Sequence, residues 1–154
     1  MTRLAVFLAT AGYSGYAPKA PGTVGSAVGL LLYMLVRRAQ SPALELLAIA
    51  ALFAAGVWSA SIAERHFGGT DPGAIVIDEV VGMLMTLALI PVGLWGAIAG
   101  FLLFRLFDVI KPYPARKFEQ LHGGLGVMAD DAMAAVYANI SLRLLLVALP
   151  GWIG

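Results

Sequence analysis

The sequence predicts an all-α, multi-pass integral membrane bundle of about five helices, with residues 1–154 forming a single domain. Three observations lead there. First, 60% of the 154 residues are hydrophobic and the mean hydropathy is +0.88. A body this small has too little interior to hide that much apolar side chain from water. Second, only 12% of the residues are charged, about half the share in an average soluble domain, and they gather in tight islands between apolar stretches. Third, the long apolar run from Ile75 to Ile110 is broken at Pro91-Val92-Gly93, a turn signal. A disordered chain would show the opposite pattern, low hydrophobicity with high net charge.

The elements follow in order. A first helix is expected at about 22–37, ending at Arg37-Arg38, and a second at about 42–64, ending at Glu64-Arg65-His66. Read as one helix, residues 75–110 would be about 54 Å long, far more than a hydrocarbon core of about 30 Å. The break at Pro91 therefore divides them into two antiparallel helices, about 75–90 and 94–110, each just long enough to cross. Asp71-Pro72 reads as the start of the third, with a capping carboxylate and a proline in the first turn. A fifth helix is expected at about 128–149, stopped by Pro150-Gly151. Gly25 with Gly29, and Gly96 with Gly100, form GxxxG patterns that let helices pack closely. The N-terminal segment lacks the long apolar run of a signal peptide.

Five spans put residues 1–21, 65–74 and 111–127 on one side. That side collects Arg3, Lys19, Arg65, Lys111, Arg116 and Lys117. The other side has Arg37 and Arg38, with Arg143 able to snorkel towards it. The excess of positive charge marks the shared side as cytoplasmic. With four spans, the polar motifs could not meet.

Composition also limits the chemistry. There is no cysteine, so disulfides, zinc-thiolate sites and thiol nucleophiles are excluded. A net charge of +1 carries no basic stripe for nucleic acid. What remains is acid at helix ends: Asp71, then Asp78 and Glu79, then Asp108, then Asp130 and Asp131. Ionisable groups at membrane depth are costly and point to function. Carboxylates brought together repel unless a cation lies between them, and their hard oxygens suit Mg²⁺, which also accepts phosphate and water. The plainer alternative is that Asp71 and Asp130 cap helices while Asp108 pairs with Arg105 and Lys111.

The cations interleave with these acids. Arg105, Asp108 and Lys111 are spaced by three and share a helical face, and Arg116 follows the Pro112-Tyr113-Pro114 bend. Acid, Arg and Lys on one face suit a phosphate held by metal and by charge-assisted hydrogen bonds. Arg116 and Lys117 could instead touch anionic headgroups. The loop APKAPGTVGS (17–26) offers backbone N–H groups at a helix N-terminus and the Thr23 hydroxyl to an anion. The loop HGGLGVMADD (122–131) could bring backbone close to a ligand. No P-loop is present. No DxDx(T/V) run, histidine-phosphatase motif or CDP-alcohol phosphatidyltransferase pattern is present either. Water activated by a metal and a carboxylate remains, with an Asp nucleophile still open.

Four segments in this order resemble the phosphatidylglycerophosphatase A family: Ala17–Ser26, Asp71–Glu79, Phe104–Arg116 and Gly123–Asp131. Together they cover about residues 10–138. The resemblance implies a bacterial inner-membrane, Mg²⁺-dependent lipid phosphatase that converts phosphatidylglycerophosphate to phosphatidylglycerol. The family pattern carries over to Asp71, Asp78, Glu79, Arg105, Asp108, Lys111, Arg116, Asp130 and Asp131. Lys19 departs from it where members can carry an apolar residue, and Ala135 stands where glycine is common.

The expected enzyme has its site at the cytoplasmic interface, where a lipid's phosphate is wet and its tails stay in the bilayer. Asp78, Glu79, Asp108, Asp130 and Asp131 would hold Mg²⁺. Glu79 or Asp131 would take the proton from water, with Asp108 alongside as a catalytic acid. Arg105, Lys111, Arg116 and Thr23 would bind the substrate phosphate. The alternatives are a small cation transporter or channel using the same acids, a scaffold without chemistry, and a phosphatase of another lipid phosphate. Oligomeric state is left open.

Overall fold

The structure is a computed structural model and describes residues 1–69, 71–118 and 120–149. Among them there are seven α-helices and no strand. They are α1 (Thr2–Ala9), α2 (Pro21–Arg37), α3 (Pro42–Phe67), α4 (Ile77–Leu87), α5 (Leu94–Ile110), α6 (Ala115–Phe118) and α7 (Gly124–Ala148). The chain is all-helical, as expected. The five anticipated helices correspond to α2, α3, α4, α5 and α7, while α1 and α6 are additions. The expected stop at Pro150-Gly151 lies outside the described residues.

The centre is α4. Every one of its residues except Glu79 and Met85 is buried. A helix apolar nearly all round belongs inside, and its neighbours are shaped to admit it. A Cβ on Gly25 or Gly29 of α2 would lie 2.8 Å from Val76 or 2.6 Å from the Val80 carbonyl oxygen. The Gly25/Gly29 pattern therefore serves packing within the chain. Phe104 of α5 lies against Gly82, and Leu87 against Gly100. This crossed order makes α4 and α5 an antiparallel hairpin about the Pro91 break.

Helix α4 is shorter than the expected 75–90. Eleven residues reach about 16 Å, about half of a hydrocarbon core. The helix starts late because Asp71 does not cap it. Asp71 takes a left-handed conformation (φ +46°) and the chain turns through 72–76 before α4 begins. It stops early because Leu89 is also left-handed (φ +58°) and Pro91 follows. Among the described residues, two helices are long and apolar enough to cross a membrane: α3, with 26 residues and mean hydropathy 2.1, and α7, with 25 residues and 1.4.

A helix ending inside a bundle leaves carbonyls that must find donors. Three other helices supply partners for this turn. From α7, Asn139 Nδ2 donates to the carbonyls of Met85, Thr86 and Ala88 at 3.2, 2.9 and 3.1 Å, and Arg143 Nη2 donates to Ala88 O at 3.1 Å. From α2, the Tyr33 hydroxyl donates to Ile90 O at 2.8 Å. From α3, buried Glu45 accepts from the Leu89 N–H at 2.9 Å and pairs with Arg37 at 3.6 Å. Arg37, Arg143 and the Pro91 turn thus share one end of the bundle, as the sequence suggested.

At the other end, α1 packs along α3 and buries Ala5 and Ala9 completely. The Ala9 carbonyl accepts the Val76 N–H at 2.9 Å, which ties α1 to the start of α4. Helix α7 begins earlier than expected, so most of the 122–131 segment is helix, not loop. Gly124 is needed there for a close approach. A Cβ on it would lie 2.1 Å from Val57 O of α3, and its N–H is held by Ser61 Oγ at 2.9 Å. The segment brings backbone to α3. Ala135, the departure from the family pattern on α7, is fully buried in the core.

Candidate metal and phosphate site

Three helices end around one cleft of about 230 Å³. The first turn of α4 contributes Asp78 and Glu79. The last turns of α5 contribute Arg105 and Asp108, with Lys111 just beyond. The second turn of α7 contributes Asp130 and Asp131. Asp71 reaches the cleft from the 71–76 turn, and Ala20, Pro21 and Gly22 close it with the start of α2. Eight of the residues expected from sequence therefore meet in one place. Thr23 and Arg116 do not line the cleft and are exposed. Asp130 and Asp131 lie inside α7, so they do not open the helix as expected, and Asp130 does not cap it.

Asp78, Glu79 and Asp131 each offer a carboxylate oxygen, and these three lie within 4.8 Å of one another. Asp78, Asp130 and Asp131 are buried. Asp78 Oδ1, Glu79 Oε2, Asp130 Oδ1 and Asp131 Oδ2 are buried oxygens that accept no hydrogen bond. Such orphaned acceptors are expensive. A hard cation among them would satisfy the oxygens and cancel their mutual repulsion. Helix α4 is too short to span a membrane, and its two acids feel the cost of burial directly. Burial first, and then the charges of Glu79 and Asp131, hold the Asp78 carboxyl well above the usual carboxylate range. Burial also raises Glu79, with partial relief from its hydrogen bond to Asp78 and from Arg105. A bound cation reverses that logic, because it favours the charged form of its ligands.

The cations are poised beside these acids. Arg105 Nη1 lies 2.6 Å from Asp108 Oδ2 and 3.8 Å from Glu79 Oε1. Lys111 leaves α5 in a left-handed conformation (φ +47°) and its Nζ lies 2.5 Å from Asp130 Oδ2. The local pairing expected for Asp108 is present with Arg105, whereas Lys111 also reaches across to α7.

Two residues escaped the sequence reading. Ser26 is fully buried, its Oγ donates to Gly22 O at 2.9 Å, and Arg105 Nη1 donates to it at 3.5 Å. Gly22 is the other. A Cβ there would lie 2.2 Å from Glu79 Oε1 and 3.1 Å from Arg105 Nη1, so the first turn of α2 touches the acids only because position 22 has no side chain. The signal was present in APKAPGTVGS, whose glycine and serine were legible as a helix start but not as neighbours of α4 and α5, far along the chain.

Comparison with known proteins identifies the family. The family model for phosphatidylglycerophosphatase A matches residues 7–146. A Haemophilus influenzae protein named phosphatidylglycerophosphatase A is 41% identical, over 82% of this chain and 79% of its own. An Escherichia coli protein of the same name is 36% identical, over 80% of this chain and 72% of its own. A Bacteroides thetaiotaomicron protein named as a candidate phosphatidylinositol-3-phosphatase is 40% identical, over 97% of this chain and 95% of its own. No solved structure matches. The chain belongs to the phosphatidylglycerophosphatase A family.

Proposed function

We propose that this protein is a membrane-embedded, Mg²⁺-dependent phosphatase. It hydrolyses the terminal phosphomonoester of phosphatidylglycerophosphate, giving phosphatidylglycerol and inorganic phosphate. The observation that carries this reading is the set of orphaned carboxylate oxygens beside Arg105 and Lys111, in a chain of this family.

Asp78, Glu79 and Asp131 would hold the metal, with Asp108 and Asp130 flanking it. A bound Mg²⁺ supplies positive charge to the transferring phosphoryl group. Arg105 and Lys111 would exchange part of their carboxylate contact for phosphate oxygens. The first turn of α2 at Gly22 presents the positive end of a helix to the same cleft. Glu79 or Asp131 would accept a proton as water attacks phosphorus. The phosphorus–oxygen bond to glycerol breaks, and the leaving glycerol oxygen would take up the proton that this carboxylate accepted from water. Arg116 and Thr23, outside the cleft, fit contacts further along the headgroup.

Large apolar side chains face outward on the long helices, including Leu31 on α2, Leu47 on α3, Leu102 on α5 and Leu144 on α7. An apolar exterior of this extent suits lipid. The cleft would face the cytoplasm of a bacterial inner membrane, by the lysine and arginine asymmetry. The transporter alternative is disfavoured by the middle of α4. The buried apolar stretch Val80–Leu84 separates the acidic cleft from the polar cluster at the Pro91 turn.

The test is phosphate release from phosphatidylglycerophosphate by the detergent-purified protein, with Mg²⁺ and with chelator. Release is expected only with the metal, and an unchanged rate under chelation would remove the metal from the mechanism. Phosphatidylinositol 3-phosphate belongs in the same assay because of the Bacteroides relative, and preference for it would reassign the substrate. Gly22→Ala is expected to lower the rate by about 10- to 100-fold, since its Cβ must displace Glu79 and misplacement near 1 Å costs that much. A Gly22→Ala enzyme as fast as the parent would show that the α2 contact is not part of the working geometry.

A further inference from the structure

We infer that Glu64, outside all four family motifs, is a positioning residue that holds Asp71 at the mouth of the cleft; the inference rests on the phosphatase reading of that cleft. Glu64 lies in the last turn of α3, where the negative end of the helix disfavours an acid. An acid kept there calls for a reason, and its contacts supply one. Glu64 Oε1 accepts a hydrogen bond from the Asp71 backbone N–H at 3.0 Å. The Glu64 carbonyl accepts from the N–H groups of Gly68 and Gly69 at 2.9 and 3.4 Å. One residue therefore both ends α3 and anchors the chain that leaves it.

That chain needs anchoring. Asp71 is left-handed at φ +46°, an uncommon conformation for a residue with a Cβ, and it is exposed. Further on, the turn is pinned where Ile75 N–H meets Pro72 O at 2.8 Å and where Val76 N–H meets Ala9 O at 2.9 Å. Those contacts fix the end that enters α4. The Glu64 contact bears on the backbone of Asp71 itself. Asp71 lines the same cleft as Asp78, Glu79 and Asp131, so a shift of its backbone moves a carboxylate at the site.

The task of Glu64 is to accept a hydrogen bond, and a neutral amide oxygen can do that. Glu64→Gln is therefore expected to stay within about threefold of the parent, while Glu64→Ala loses about tenfold in kcat with KM little changed. Thermal unfolding of each variant shows whether it is folded. Amide exchange at Asp71, followed by mass spectrometry or NMR, gives a readout that needs no turnover: slow in the parent and in Glu64→Gln, and markedly faster in Glu64→Ala. Equal exchange at Asp71 in parent and Glu64→Ala would overturn the inference. So would a Glu64→Gln enzyme as impaired as Glu64→Ala, since the charge and not the acceptor would then be what matters. A parent that released no phosphate from any lipid would instead sink the phosphatase reading and with it the catalytic half of the inference, leaving exchange to decide the pinning of Asp71.

Discussion

Asp78→Asn is expected to leave a protein that is more stable than its parent in chelator and nearly inactive with Mg²⁺. The two effects have one cause. Asp78 is buried, with Glu79 and Asp131 close by, and its Oδ1 accepts no hydrogen bond. Asparagine keeps the shape, removes one of the repelling groups and supplies an amide that can donate to a neighbouring carboxylate. The gain is on the order of 1–2 kcal/mol. With saturating Mg²⁺ the ordering reverses, because the parent gains binding free energy from the ligand and the variant gains little of it. Activity is expected to fall on the order of 10³-fold, as when a group that stabilises developing charge is removed. The measurements are thermal unfolding in detergent with chelator and with Mg²⁺, and phosphate release from the lipid. A variant less stable than the parent in chelator would mean that the hydrogen bond between Asp78 and Glu79 outweighs the repulsion that asparagine relieves. More than about a tenth of parental activity would remove Asp78 from the metal site.

That trade-off bears on what could be read from the sequence. The acids were legible because an apolar chain makes each charge conspicuous, and because Asp78, Asp108 and Asp131 fall on three separate helices whose ends the islands mark. The helix boundaries were less so. Asp71-Pro72 has the residue types of a helix start, but Asp71 is left-handed, its N–H is held by Glu64, and the Val76 N–H at the entry to α4 is held by the Ala9 carbonyl, all contacts with residues that lie apart in sequence. Gly123-Gly124 reads as a loop until Val57 of α3 is known to sit against it. Helix α1 was hidden by its shortness, since it depends on α3 for burial of Ala5 and Ala9. The half-length of α4 was the largest departure. Its apolar residues run on past Leu87, so composition alone lets the helix continue, and only the side chains that take over its last carbonyls reveal where it stops.

Those side chains carry the second large effect. Asn139→Ala is expected to destabilise the protein by about 2–4 kcal/mol, because carbonyls buried without donors cost about 1–3 kcal/mol each. The Asn139 amide serves Met85, Thr86 and Ala88, and its Oδ1 accepts from Arg143 Nε at 2.8 Å, which holds that guanidinium over Ala88 O. Alanine removes all of these at once. Asn139→Asp is a sharper probe, since it keeps the volume and the acceptor for Arg143 but replaces the donor with an oxygen facing carbonyls. It should be at least as harmful as alanine. Helix α4 carries Asp78 and Glu79 at its opposite end, so a frayed last turn lets the helix shift along the bundle and loosens the acids against α5 and α7. Apparent Mg²⁺ affinity should therefore weaken in both variants, although Asn139 lies two turns of α7, about 12 Å, from Asp131. Thermal unfolding and a Mn²⁺ titration in detergent measure the two effects. If Asn139→Ala unfolds within about 0.5 kcal/mol of the parent, the turn at 88–93 finds its donors elsewhere, and the depth of α4 is set by packing at Gly25, Gly29 and Gly82.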